Sequence, residues 1–201
     1  MWLGVLLVAT LTGGLAAQKA PGTSRYDPAF RKYSKRFFGP GFDWRVFKAQ
    51  GLAESNLDSA AKSWVGARGI MQLMPSTFQE IQTKNPDLSS IDDPQWNIAA
   101  GILHDRSLWR LWTDPGSEGD RRNFMFASYN AGRSTILKAQ ATAQSHNLDH
   151  RLWQSIETVA PEVPRWRYQE TLGYVRKIDG NLHRLTDRGS LLAVGDTTSQ
   201  K

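Results

Sequence analysis

A chain of 201 residues that is 40% hydrophobic, 10% aromatic and 22% charged has ordinary globular composition and length enough for one domain with a sizeable core. It contains no cysteine, which excludes disulfides, thiol catalysis and cysteine-held metal. Lysine and arginine outnumber aspartate and glutamate by 25 to 19, and the net charge of +6 favours polyanionic partners: nucleic acid, anionic lipid or acidic cell-wall polymer.

The first eighteen residues, MWLGVLLVATLTGGLAAQ, carry no charged side chain. They are short and glycine-containing for a transmembrane helix and suit a signal-peptide core, with Gly14 and Ala16 as the small residues before a cleavage at Ala17. Lys19, Arg25, Arg31, Lys32, Lys35 and Arg36 come after this segment and none precedes it, an order that opposes export of the C-terminal part. Residues 1–18 are therefore expected to be a signal peptide or a membrane anchor. Residues 19–40, rich in Pro, Gly, Ser and basic side chains, read as a basic linker whose densest part is RKYSKRFF.

From 41 to 187 the pattern is of helices joined by short loops, with a flexible tail over 188–201. Asp43 is placed to cap a helix through WRVFKAQGLAES. Pro75 opens PSTFQEIQ, with Thr77 and Glu80 in capping-box spacing. Asp93 and Pro94 begin the clearest helix, in which Ile98, Gly101, Ile102, Leu108, Trp109 and Trp112 keep helical spacing. RNFMFASYNAG ends at Gly132, a residue suited to follow a helix. Further helices are predicted over 133–145, 148–157 and 165–185. No run alternates strictly, no hairpin signal occurs, and no segment repeats. The fold class is mainly α. Of the four histidines, only His146 and His150 are spaced for one helical face, and without an acidic helper they read as surface residues. No named nucleic-acid module is present.

One residue stands out. Phe47, Gly51 and Glu54 share a helical face, which puts a carboxyl near the end of a buried helix among apolar neighbours. Desolvation disfavours its charged form and keeps a proton available near neutral pH, the property a general acid needs to protonate a glycosidic leaving oxygen. Taken alone, the same glutamate reads as well as a helix-end cap or the partner of an arginine.

The surrounding text resembles the goose-lysozyme-like lytic transglycosylases, the family typified by the soluble lytic murein transglycosylases. Its E-S, A-x-S and G-A-x-G-I-M-Q-x-M-P-x-T pattern stands here as Glu54-Ser55, Ala61-Lys62-Ser63 and the run Gly66 to Thr77. Three later motifs keep the family's order. They are Asp93, Pro94, Asn97, Ile98 and Gly101; then ASYNAG at 127–132; then Glu170, Thr171, Tyr174, Val175 and Ile178. The match spans about residues 43–185. It departs at Ser59, where proline is common, and in LWQSIETVAPEVPRWRYQETLGYV, which is longer than the W-x-E-x-I-P segment of the family and leaves Glu157 and Glu162 both as candidates for its glutamate.

The resemblance implies a lysozyme-like (goose-type) helical domain with a substrate cleft. It implies that Glu54 protonates the oxygen between N-acetylmuramic acid and N-acetylglucosamine, then takes the muramyl 6-hydroxyl proton as that oxygen closes on C1 to a 1,6-anhydro end. It further implies substrate contacts from Ser63, Gln72, Met74, Tyr129, Asn130 and Tyr174, with Tyr129 bonding the acid or an acetamido group. Gly66 and Gly69 would let the backbone pass close to the sugar, while Asn97 and Gly101 would be structural. Trp64, Trp109 and Trp112 are read as core. No cofactor and no metal are implied. The expected partner is the peptidoglycan glycan strand, not nucleic acid, with the membrane and a secretion or phage-entry apparatus as further possibilities. The expected location is the periplasm or the inner membrane facing the wall, or else a phage virion. Two alternatives stay open: a goose-type hydrolase using Asp58, Asp92 or Asp93 as second carboxylate, and a wall-binding protein without activity.

Overall fold

The computed structural model describes residues 24–196, with side chains as far as Asp187. The expected signal peptide or anchor over 1–18 and the end of the tail lie outside the described residues. Eight helices are described: α1 Asp27–Phe38, α2 Arg45–Ser55, α3 Pro75–Lys84, α4 Pro94–Leu111, α5 Glu118–Ala131, α6 Arg133–Ser145, α7 Trp153–Val159 and α8 Tyr168–Asp196, with one 3-10 turn at Ala160–Glu162. Among the described residues there is no strand, only isolated bridges from Arg68 to Lys62 and to Leu73 in the α2–α3 loop. The domain is mainly α, as its periodicity predicts.

Local chemistry sets most boundaries. The Asp93 carboxylate accepts from the backbone N–H groups of Gln95 and Trp96 at 2.8 and 3.1 Å, and Pro94 takes the first helical position, so α4 starts where expected. Gly132, at φ +81°, ends α5 and opens α6. The capping box at Thr77 does not form. Pro75 occupies the first helical position, so the cap falls at Met74 and Thr77 is already inside the helix. Asp43 sits one residue too early to cap α2; it accepts instead from the Arg45 N–H at 3.0 Å. α7 begins at Trp153 rather than 148, because Asp149 accepts from the Arg151 N–H and closes a turn there. α8 continues past 185 and past 187, so the backbone of the expected flexible tail is helical to Asp196.

The stretch expected to be a basic linker is the largest correction. Within 19–40 lies α1, and beneath its charges runs a helical apolar stripe: Phe30 and Tyr33 are fully buried, with Phe37 packed against the core. Arg31, Lys32, Lys35 and Arg36 occupy the exposed side. Burying each aromatic contributes about 1.5–3 kcal/mol. Lys48 of α2 completes the docking with a 2.5 Å ion pair to Asp27 while its own stem is buried. α4 forms the centre of the core through Ile98, Ala99, Ala100 and Ile102, packed on α1 and α5, while α8 lies along α2.

Candidate active site

α2 ends abruptly at the glutamate. Asn56 and Leu57 adopt left-handed φ of 56° and 64°, and their N–H groups return to Leu52 and Gly51 carbonyls at 3.2 and 3.3 Å. Glu54 is thus held in the last turn, on the line of buried Phe47 and Gly51. A Cβ at Gly51 would meet Leu57, Ile70 and Phe30 at 3.0–3.2 Å, so glycine allows the packing that closes over the base of the acid.

One face of α8 covers that turn. The Tyr174 hydroxyl donates to Glu54 Oε1 at 2.5 Å, Lys177 Nζ donates to the Ala53 carbonyl at 2.6 Å, and Asn181 Nδ2 donates to the Ala49 carbonyl at 2.9 Å. Burial raises the Glu54 pKa from its usual 4.5 to about 7, against the opposing effects of the Tyr174 hydrogen bond and the Lys177 charge. Glu54 as a residue keeps intermediate exposure. The site therefore offers a carboxyl that holds a proton near neutrality, on a residue that is not fully closed from solvent.

The opposite side is the loop 61–74. The Asn97 side chain organises it from α4: Oδ1 accepts from the Met71 N–H at 2.8 Å, and Nδ2 donates to the Arg68 and Ile91 carbonyls, both at 3.0 Å. This is the structural role expected of Asn97. Gly69, at φ +74°, has no room for a Cβ, which would lie 2.5 Å from Asn97 Nδ2. A Cβ on Gly101 would strike the Met71 side chain at 2.7 Å. Both glycines make space for the loop's own anchors, and Gly66, at φ +92° with open space around it, serves a turn. Ser55 Oγ donates to the Ile70 carbonyl at 2.9 Å and ties the loop to the turn that carries Glu54.

The expected site residues differ in what they contact. Ser63 Oγ accepts from the Ala67 N–H at 2.9 Å, and its own proton has no acceptor among the described residues. Gln72, in a left-handed φ of 44°, donates from Nε2 to the Gly69 and Ala61 carbonyls at 2.9 and 3.3 Å, so its amide N–H groups serve the loop and only its carbonyl side is available. Met74 is exposed beside it. Tyr129 donates to the Met71 carbonyl at 2.8 Å and packs edge-on against His104, with ring centroids 5.1 Å apart. Tyr174, which was expected only to line the cleft, bonds the acid, and Tyr129 bonds the loop instead. Asn130 is exposed and accepts from Thr171 Oγ1 at 2.8 Å, one helical turn before Tyr174. Trp109 and Trp112 are core, as expected, whereas Trp64 is 91% exposed and is not.

Three participants escape the sequence reading. Lys177 lies one helical turn beyond Tyr174, a spacing visible once Tyr174 is known to face the acid. His104, pushed toward neutrality by burial, lies against Tyr129. Asp105 carries the signal that marked Glu54, an acid within an apolar helical face. It is fully buried, accepts from Gln50 Nε2 at 3.3 Å, and is pushed well up by burial and further by the Glu54 charge. The three aspartates weighed as a second carboxylate are committed elsewhere: Asp58 accepts from the Ala60 N–H, Asp92 pairs with Arg68 at 3.2 Å, and Asp93 caps α4.

Comparison with known proteins gives this arrangement a context. Residues 33–152 match the family model described as the transglycosylase SLT domain. The chain is 32% identical over 154 residues to a protein of Desulfosudis oleivorans named membrane-bound lytic murein transglycosylase F, covering 76% of this chain and 32% of that one. It is 30% identical over 150 residues to the protein of the same name from Shewanella pealeana, covering 75% of this chain and 29% of that one. The chain thus corresponds to about a third of the length of these relatives. Among solved structures, it is similar to the 70 kDa soluble lytic transglycosylase of Escherichia coli, with TM-score 0.59 and 22% identity over 80% of this chain and 24% of that one. A complex of the 70 kDa soluble lytic transglycosylase with bulgecin A gives TM-score 0.61 over 81% and 24%. The expected fold, a mainly α lysozyme-like domain, is the one found. On the family match, which covers more than half of it, the chain belongs to the transglycosylase SLT domain family.

Proposed function

We propose that the chain is a peptidoglycan lytic transglycosylase in which Glu54 acts first as acid and then as base. The observation that carries this reading is the Glu54 carboxyl itself, raised to about 7 and bonded by Tyr174 at 2.5 Å. Burial keeps it protonated for transfer to the oxygen that leaves N-acetylmuramic acid C1. Once the proton has gone, the Tyr174 hydroxyl and the Lys177 charge ease the cost of the carboxylate, so the same group persists long enough to take the proton of the muramyl 6-hydroxyl. That oxygen then bonds C1, the glycosidic bond is broken, one proton has been donated and one recovered, and no water is consumed. The substrate's own acetamido group shields the developing charge at C1. Ser63, Gln72, Met74 and Asn130 would contact the glycan beside Glu54, Tyr174 would hold the acid, and Tyr129 would hold the loop.

A hydrolase of the two-carboxylate kind needs a second acid able to reach water at the sugar. Asp105, the acid on which the Glu54 charge acts, is fully buried, and no observation favours that reading. For location, the uncharged segment 1–18 and the relatives named as membrane-bound support a site at the inner membrane or in the periplasm, facing the wall. Among the described residues no helix is long and apolar enough to cross a membrane.

Mass spectrometry of soluble products from purified sacculi tests the reaction. Muropeptides one water lighter than their reducing forms are expected. Reducing ends would turn the reading to hydrolysis, and no product from folded protein would turn it to a wall-binding role.

A further inference from the structure

One buried acid has no part in the reaction described above. Asp105 follows Ile98 and Ile102 on the inward face of α4 and is as fully buried as they are. A carboxylate in such a place needs a cation or several donors. Among the described residues Asp105 has neither. Its one hydrogen bond comes from Gln50 Nε2 at 3.3 Å, just beyond the usual range, and the guanidinium of neighbouring Arg106 lies over the Phe38 ring instead. Asp105 Oδ2 and Gln50 Oε1 are both buried, and both lack a partner among the described residues. Two acceptors cannot bond each other. A proton on Asp105 turns Oδ2 into a donor, and the free oxygen of the carboxamide that already bonds Oδ1 is the acceptor at hand. One proton thus closes an acid–amide pair. Burial, which pushes the Asp105 carboxyl well up, favours the same state.

Gln50 stands four residues before Glu54 on α2, so their Cβ atoms are about 5–6 Å apart on one face of the helix. The pair therefore lies one turn from the catalytic carboxyl. The groups in electrostatic contact with Asp105 are Glu54, Tyr129 of α5 and Tyr174 of α8, none of them a cation. On α4 itself, His104 is pushed toward neutrality by burial, packs on the Tyr129 ring and feels the charge of Glu80 of α3. α1, also packed on α4, buries no charged side chain. Lys177 acts on Glu54.

We infer that Asp105 is a positioning residue for the acid: as a neutral carboxyl paired with Gln50, it fixes the turn of α2 that leads to Glu54 and keeps a second negative charge away from it. The inference rests on the lytic-transglycosylase reading for the role of Glu54. After giving up its proton, Glu54 must stand as a carboxylate until it takes the proton of the 6-hydroxyl. An ionised Asp105 would oppose that state, and a neutral one does not. In return, the Glu54 charge holds the proton on Asp105, so the two acids do not ionise together.

Carbon-13 NMR of labelled aspartate side chains in the full chain tests the protonation state, with D105N identifying the resonance. The Asp105 carboxyl is expected to be protonated at about pH 7, well above the ordinary aspartate value, and its midpoint should fall in E54Q, where the neighbouring charge is gone. An Asp105 already ionised at about pH 6, or a midpoint that E54Q leaves unmoved, overturns the inference. Kinetics test the positioning. D105A strands the Gln50 amide and is expected to lower kcat about tenfold with KM little changed, and D105N, which can meet both Gln50 atoms, should recover most of that loss. An undiminished kcat in D105A overturns the inference. So does an alkaline limb that moves to lower pH in D105N, the sign of a negative charge removed from beside Glu54. Failure of the function reading shows separately, as absence of 1,6-anhydro products from the protein with Glu54 and Asp105 intact.

Discussion

The two sides that meet at Glu54 are built by opposite means. The 61–74 loop is a local motif pinned at a few points: Asn97 bridges three backbone groups in and beside it, Tyr129 holds the Met71 carbonyl, and Ser55 holds the Ile70 carbonyl. The α8 side is a regular helix laid along α2, and Tyr174, Lys177 and Asn181 reach Glu54, Ala53 and Ala49 from residues at least 120 positions away in sequence. The loop supplies shape with its amide groups mostly consumed internally. The helix supplies the hydrogen bond and charge that tune the acid. Damage to the loop should therefore appear as lost stability and substrate affinity, and damage to α8 as altered proton chemistry.

The largest effect is expected where both sides converge. E54Q should lower anhydro-product formation by about 10²–10⁴-fold, read by mass spectrometry, with the fold retained. It should also be more stable than wild type at pH 8. Because the folded-state pKa of Glu54 is raised, the folded protein binds more protons than the unfolded between about 4.5 and 7, so its stability falls as pH rises through that window. The full displacement corresponds to about 3 kcal/mol, an upper bound given the residue's partial exposure, and the gap between E54Q and wild type should close below pH 5.

Next comes the loop's anchor. N97A strands the Met71 N–H and the Arg68 and Ile91 carbonyls at a buried position, and urea unfolding should show a loss of about 3–5 kcal/mol. The sharpest contrast is between the two tyrosines. Y174F removes a hydrogen bond that lowers the Glu54 pKa, so the alkaline limb of the pH–rate profile, set by loss of the acid's proton, should move to higher pH while kcat falls about tenfold. Y129F should lower stability by about 1 kcal/mol and raise KM, leaving that limb in place. A shifted limb in Y129F, or a fixed one in Y174F, would break the division between the two sides. K177M should move the limb in the direction of Y174F but less, since Lys177 is exposed and its charge is partly screened.

This division also explains what could be read in the sequence. The loop was legible through its resemblance to the family motif, which carries the glycines, Asn97 and Pro75, while the anchoring by Tyr129 and Ser55 was not. Most helices were legible from apolar spacing and from Asp93, Pro94 and Gly132. α1 was not, because six basic residues between 19 and 36 drew the reading to composition while Phe30, Tyr33 and Phe37 kept a helical period underneath. That Tyr174 rather than Tyr129 bonds the acid was beyond reach, since both stand in motifs and only the packing of α8 on α2 decides which hydroxyl meets it. Asp105 carried a usable signal, an acid three residues beyond Ile102 on a buried face, and needed only the question asked of Glu54.

Direct titration of the Glu54 carboxyl bears most closely on whether this residue is a protonated acid at working pH. Carbon-13 NMR of the labelled side chain, compared with E54Q to identify the resonance, should give a midpoint near 7 in wild type and a higher one in Y174F. A midpoint near 4.5 would leave the carboxyl ionised at neutral pH and contradict its assignment as the proton donor.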